Sequence, residues 1–229
     1  MATVYADMPY EKEQQAVRGM TSLSDQFGTQ EQLKVVEAWV PPIIRRLLGR
    51  TPGRVWLCGG ALRSIFDNTR TSDYDLFFRD GDAFNDAQQF LKNEFKNCLN
   101  PTTSHAVTFI SQGVKIQLVC MKWFPSAHDC IASFDFTCTR MAFWQDEQSK
   151  LQFYAMPEAV EHALQRWLAP ANLKGYAYDS LEKRVDKYKS IGYTVSSKVF
   201  EEFFKNPVNS KSPYPNIQFQ DDYEEEVPF

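Results

Sequence analysis

A chain of 229 residues can bury a sizeable core, and 43% hydrophobic with 24% charged residues is the balance of a globular protein, not of a disordered or fibrous one. No apolar run nears the ~20 residues that span a bilayer, and the opening MATVYADMPYEKEQQ lacks the basic and apolar regions of a secretory signal, so a cytoplasmic location without membrane contact is expected. The net charge of −4 argues against a dedicated nucleic-acid binder, yet Asp221, Asp222, Glu224, Glu225 and Glu226 supply five of the 29 acids and leave residues 1–220 near neutral, which permits a local basic groove.

Residues 1–28 are polar and weakly periodic and read as an N-terminal arm. From Thr29, a candidate N-cap, Leu33, Val36, Val40, Ile43, Ile44, Leu47 and Leu48 recur at helical spacing until Gly49. Pro41-Pro42 must break or kink this helix, because each proline removes a backbone donor. Val55 to Cys58 is a β-prone run, Gly59-Gly60 a turn, Ala61 to Phe66 a short helix, and Ser72 to Phe78 a second strand. Glycines between a strand and a helix let the backbone approach a ligand closely, and the helix's first N–H groups favour phosphate. On the second strand Asp73 and Asp75 are two apart, so both carboxylates leave one face. Two such carboxylates repel unless a cation lies between them, and magnesium suits that place when phosphate oxygens complete its shell.

Asp80 or Asp82 can cap a helix from about Ala83 to Cys98, whose buried face is Phe84, Ala87, Phe90, Leu91 and Phe95. Residues 105–111 and 114–120 read as a hairpin around Gln112-Gly113, and 133–143 as a strand bearing Asp135, Thr137 and Thr139 on one face. A further strand follows at Leu151 to Met156, then a helix from Pro157 to about Leu168. A second helix, capped by Asp179 or Ser180, ends at Gly192, and a third starts at Ser196 or Ser197. The acidic, proline-containing tail from Asn206 is expected to be poorly ordered or a docking segment for a protein partner. The organisation expected is therefore an arm (1–28), a main domain (29–156), a helical segment (157–205) and a tail (206–229). Five cysteines without a Cys-x-x-Cys pair read as reduced, packed thiols. The three histidines show no ligand spacing.

Gly59-Gly60, twelve residues, then Asp73-Tyr74-Asp75-Leu76 resembles the signature of the DNA polymerase β-type nucleotidyltransferases. The run GGALR, with Arg63 three places after Gly60, is most similar to poly(A) polymerases and CCA-adding enzymes, and Asp135-Phe136-Thr137 resembles a motif of the same branch. The C-terminal pattern Arg184, Tyr188, Gly192-Tyr193 is similar to small phage-encoded nucleotidyltransferase-like proteins, which would place the chain in a host cytoplasm. The resemblance implies an α+β nucleotidyltransferase fold, a mixed or antiparallel sheet flanked by helices with a small C-terminal helical appendage.

It also implies magnesium- or manganese-dependent transfer of a nucleoside monophosphate from an NTP to a hydroxyl, with an RNA or tRNA 3′ end as the acceptor of the branch. Asp73 and Asp75 would be the catalytic metal ligands, Gly59 and Gly60 would present backbone donors, and Arg63 and Arg140 would meet phosphate. The family places a third carboxylate on the strand beside its Asp-x-Asp, where this chain has Gln117, a neutral amide that neither takes a proton nor binds a cation as strongly. Asp135 is the other candidate for that third catalytic place. Its alternative role is a brace that accepts backbone N–H groups. For Arg184, Lys187 and Tyr188 two roles are open, holding a base or packing the helix. The alternative to an enzyme is a catalytically degenerate member of the fold acting as a nucleotide-binding, viral structural or scaffold module.

Overall fold

The computed structural model describes residues 30–95, 101–111, 113–174, 178–199 and 201; the expected arm and tail, and the Thr29 cap, lie outside them. Two helices open the described chain, α1 (Gln30–Trp39) and α2 (Pro42–Arg50), and the break falls at the paired prolines, with Pro42 in the first turn of α2. Helix α2 runs through Gly49, one residue beyond the expected stop. Then come β1 (Val55–Cys58), α3 (Gly60–Asp67), β2 (Tyr74–Phe78) and α4 (Gly81–Glu94), the last capped by Asp80, whose carboxylate accepts from the Ala83 N–H at 2.9 Å. Strands β3 (Ala106–Ser111) and β4 (Val114–Val119) form the expected hairpin, with Gly113 at φ +79°.

The chain continues with α5 (Ala127–Ala132), a 3₁₀ turn (Thr137–Thr139), β5 (Met141–Gln145), β6 (Leu151–Ala155) and α6 (Ala159–Leu164). It ends with β7 (Trp167–Leu168), α7 (Tyr178–Ser190) and β8 (Thr194–Val195). Strands β3-β4-β2-β1-β5-β6 make one mixed sheet in which only β2 and β4 run parallel, while β7 and β8 pair separately. The fold is α+β, a mixed sheet flanked by helices.

Three local expectations change. The strand proposed for 133–143 starts only at Met141, because Phe136 bridges to Pro170 and residues 137–139 close a 3₁₀ turn. The helix proposed from Pro157 to Leu168 ends at Leu164. Arg166 takes a positive φ of 52°, and Trp167–Leu168 then pair with β8. Helix α5 was not anticipated. Its signal was present in Ser126-x-x-Asp129, where the serine hydroxyl accepts from the Asp129 N–H at 3.2 Å and donates to its carboxylate at 2.5 Å.

Register decides which face is core. Leu57 lies opposite Leu76 and Phe143, and Leu76 beside Leu118; this face carries fully buried Phe78, Phe109 and Ile116 against Val36, Leu47, Leu62 and Leu91 of the helices. The C-terminal segment joins the same core through Leu168, Leu181, Val185, Tyr188 and Tyr193. Alternate residues point to the other face, where Trp56, Cys58 and Ala142 are covered by Ala127, Cys130 and Ile131 of α5. Helix α5 reaches only that end of the sheet. Beyond it, Asp73 just ahead of β2 and Asp75 within it line a groove, with Lys115 and Gln117 of β4 beside them. Among the described residues no helix is long and apolar enough to cross a membrane.

Candidate active site

The groove holds a cavity of about 390 Å³. Its floor is the ends of β1 and β2, one side is the aromatic wall of Phe77, Phe124 and Phe134, and the other is α7 with Arg184 and Lys187. Gly59 adopts φ +83°, ψ −135°, a conformation L side chains rarely adopt, and a Cβ there would lie 3.2 Å from the Phe134 ring. Its N–H is already given to the Met141 carbonyl at 3.2 Å, so it is not the free donor expected. The Gly59 carbonyl accepts from Leu62 and Arg63 at 3.1 Å, which leaves the N–H groups of Gly60 and Ala61 ahead of the first acceptor of α3. A Cβ on Gly60 would meet nothing within 4 Å, so the backbone there faces open space.

Asp73 and Asp75 stand on the groove face as their spacing requires. Asp73 accepts from the Ser72 hydroxyl at 2.8 Å and from Lys115 Nζ at 3.3 Å. Asp75 pairs in register with Gln117 across β2 and β4 and with Cys58 across β1. Burial, and then the charge of Asp73, push the Asp75 carboxyl up to about 7, while Lys187, Lys115 and Arg184 pull it back. Gln117 is wedged against both carboxylates. Amide nitrogen and oxygen are told apart by their neighbours, and with the nitrogen toward the acids it donates to Asp75 Oδ1 at 2.9 Å and Asp73 Oδ2 at 3.1 Å, its oxygen accepting from Thr108 Oγ1 at 3.3 Å. Thr108 escaped the sequence reading, although counting the hairpin outward from Gly113 sets it opposite Gln117.

Asp135 also reaches the cavity, but not as a free carboxylate. It is 2% exposed, accepts from the Phe136 N–H at 3.0 Å and forms an ion pair with Arg184 Nε, so its geometry is that of the brace. Arg63 is 7% exposed, ion-paired with Asp67 one turn on and flanked by the Tyr188 and Tyr193 rings at 5.6 Å. The Tyr193 hydroxyl donates to the same Asp67 carboxylate at 2.7 Å. Arg63, expected to balance phosphate, lines the cavity, and its charge is already met by Asp67. Arg140, also expected to meet phosphate, donates to the Ala132 carbonyl at 2.8 Å and the Phe134 carbonyl at 3.4 Å and is not among the residues that line the cavity. It holds the loop that carries Phe134. Tyr188, one of the residues proposed to hold a base, is 7% exposed and packs on Phe136 and Tyr193 at 5.3 and 5.2 Å; burial raises its phenol. Tyr188 thus packs the helix while, with Arg184 and Lys187, it also lines the cavity. Cys58, Cys130 and Cys138 are free and buried, and burial beside Cys130 raises the Cys58 thiol well above its usual range. His162 bonds Thr137 Oγ1 at 2.6 Å, His128 packs tilted at 57° against the Tyr154 ring with centroids 4.4 Å apart, and neither borders the groove.

A family model described as "Gad2: Gabija anti-defense 2 family protein" matches residues 30–166, more than half of the chain. The chain belongs to the Gabija anti-defense 2 family. A curated family relative, Gabija anti-defense 2 of Bacillus phage SPbetaL7, is 31% identical over 147 residues; the match covers 63% of this chain but only 35% of the relative. This family member thus spans about a third of that protein's length. Among solved structures, a Thermotoga maritima CCA-adding enzyme complexed with tRNA superposes with a TM-score of 0.57 at 13% identity, over 77% of this chain and 44% of that one. A CCA-adding enzyme complexed with CTP gives 0.58 at 13% identity, over 75% and 45%. These neighbours establish a nucleotidyltransferase-like fold. The family match stops before α7, so Arg184 and Lys187, which wall the cavity, lie outside the matched span.

Proposed function

We propose that this member of the Gabija anti-defense 2 family is a nucleotidyltransferase of the polymerase β-type superfamily, moving a nucleoside monophosphate from an NTP to a hydroxyl, and that it acts against the defence through this transfer. The observation that carries the reading is the pair Asp73 and Asp75 on the open face of the sheet, beside a Gly-Gly turn whose backbone faces the cavity. Among the described residues no group of three or more His, Cys, Asp or Glu is arranged for a metal ion, so the protein offers two carboxylates. That donor set fits a magnesium or manganese ion that arrives with phosphate oxygens. Such an ion supplies charge neutralisation on the phosphates and a lowered pKa at the acceptor hydroxyl.

The chain's own groups do the rest. The N–H groups of Gly60 and Ala61 receive a phosphate oxygen at the start of α3. Lys115, Lys187 and Arg184 offset the triphosphate charge. Phe77, Phe124 and Phe134 line the opposite wall and exclude water from that side. By analogy with neighbours whose structures hold tRNA or CTP, the acceptor is an RNA 3′ end. A second reading, a nucleotide-binding module without catalysis, is favoured by Gln117 in the place of a third carboxylate.

One assay separates them. Purified protein is incubated with each labelled NTP, magnesium or manganese, and total host RNA and protein. Label transferred by wild type and lost in Asp73→Asn and Asp75→Asn is the expected result. NTP binding with no label in any acceptor would instead establish the binding module.

A further inference from the structure

Gln117 is chemically unlike the carboxylate whose position it holds, and the difference has a geometry. Two carboxylates side by side, one of them half-buried, repel each other in the absence of a cation. A third carboxylate would add to that repulsion. An amide need not, because it carries donors at one end and an acceptor at the other. With its nitrogen inward, Gln117 bridges Asp75 Oδ1 at 2.9 Å and Asp73 Oδ2 at 3.1 Å, occupying with two N–H donors the place between the acids where positive charge is wanted. With the group turned over, the oxygen faces the acids and the nitrogen donates to Thr108 Oγ1 at 3.3 Å. Thr108 is 6% exposed and sits opposite Gln117 in register. A hydroxyl both donates and accepts, so it satisfies the amide in either orientation. Thr108 therefore serves the outer end of the amide in either orientation, whereas with the oxygen inward the inner end faces only acceptors and calls for a cation.

We propose that Gln117 is a two-position amide: nitrogen inward, it holds the empty Asp73–Asp75 pair together, and oxygen inward, it becomes a neutral third ligand to the divalent cation. This rests on the reading of the pair as a cation site. A neutral third ligand leaves the protein with two negative ligands instead of three, one of them already facing Lys115 at 3.3 Å. The protein alone then holds a cation weakly, and the cation enters as its NTP complex, whose phosphates supply the missing charge. The amide thus makes loading conditional on nucleotide.

Manganese titration without nucleotide, followed by electron paramagnetic resonance, tests the proposal. Wild type is expected to bind weakly and Gln117→Glu at least tenfold more tightly. Without metal at pH 8, Gln117→Glu is expected to melt several degrees below wild type, and manganese to restore it. Gln117→Met, similar in length but without donors, is expected to lose metal-free stability and to gain no manganese affinity. The side-chain amide resonances of Gln117 in a ¹⁵N spectrum are expected to shift when magnesium and a non-hydrolysable NTP are added together, and not with magnesium alone.

Equal manganese affinity in wild type and Gln117→Glu, or Gln117 amide resonances indifferent to magnesium with nucleotide, overturns the two-position amide. If Asp73→Asn also leaves manganese binding unchanged, the cation site itself is overturned along with it. If the affinities follow the proposal while no acceptor is ever labelled, the amide stands and the transfer reading falls.

Discussion

Asp75 shows at the scale of one side chain how the site is balanced. Its carboxyl is pushed up to about 7 by burial and by Asp73, so the folded state holds that proton more tightly than the unfolded chain, whose value is near 3.8. Stability from this group is complete below pH 4 and is lost as pH rises from about 4 to about 7. The Gln117 donors and Lys115 oppose the loss but leave its sign unchanged. Metal-free Asp75→Asn is therefore expected to be more stable than wild type by about 1–3 kcal/mol at pH 8, with the advantage fading below pH 4. Urea unfolding across this range measures it, and parallel curves for the two proteins would contradict the assignment of burial as the cause.

Between elements, the decisive contact is the one that seats α7 beside the groove. Asp135 in the loop before the 3₁₀ turn pairs with Arg184 of α7, and its backbone carbonyl accepts from Ala171 and Asn172 at 2.7 and 3.2 Å. A second buried clasp, Arg63 and Asp67 of α3 with Tyr193, ties the residue before β8 to the helix that follows the glycines. Asp135 is thereby expected to position Arg184 and not to ligate a cation. Asp135→Asn is expected to cost about 1.5–3 kcal/mol, the usual worth of a hydrogen bond to a charged group, and to raise KM for NTP more than it lowers kcat. Manganese affinity is expected to stay within about twofold. A collapse of manganese affinity with unchanged melting temperature would restore Asp135 as a ligand.

For the whole molecule, the question is whether the span that matches the family is a folding unit. Residues after 174 bury Leu181, Val185, Tyr188, Tyr193 and Val199 in the common core. At roughly 1.5–3 kcal/mol for each large apolar side chain, their removal approaches the ~5–15 kcal/mol total stability of a typical domain. It would also leave the Asp135 carboxylate without Arg184. A chain ending at residue 174 is expected to lose cooperative thermal unfolding and to bind a hydrophobic dye. A sharp transition within a few degrees of the full chain would show that the C-terminal segment is an accessory.

What the sequence determined is what depends on near neighbours. A two-residue period placed Asp73 and Asp75 on one face, paired prolines broke the first helix, Asp80 capped α4 and Gly113 set the hairpin register; each is a local consequence of backbone geometry. The fold class came instead from resemblance, the glycine-to-aspartate spacing being similar to the signature of the polymerase β-type nucleotidyltransferases. Charged side chains were not legible in this way, because their roles belong to whichever partner arrives first. Arg63 meets Asp67 and is sealed by Tyr193 from 130 residues away, Asp135 meets Arg184 across 49 residues, and Arg140 turns to carbonyls of its own loop. Strand 133–143 failed for a related reason: local β propensity gave way to a bridge between Phe136 and Pro170, contributed by a distant segment. Gln117 could be read as a departure from the carboxylate pattern, and the hairpin register already set Thr108 opposite it, but only the packing of β4 beside β2 set the two aspartates before it. Local periodicity places a side chain on a face; the tertiary fold alone decides which charge it meets there.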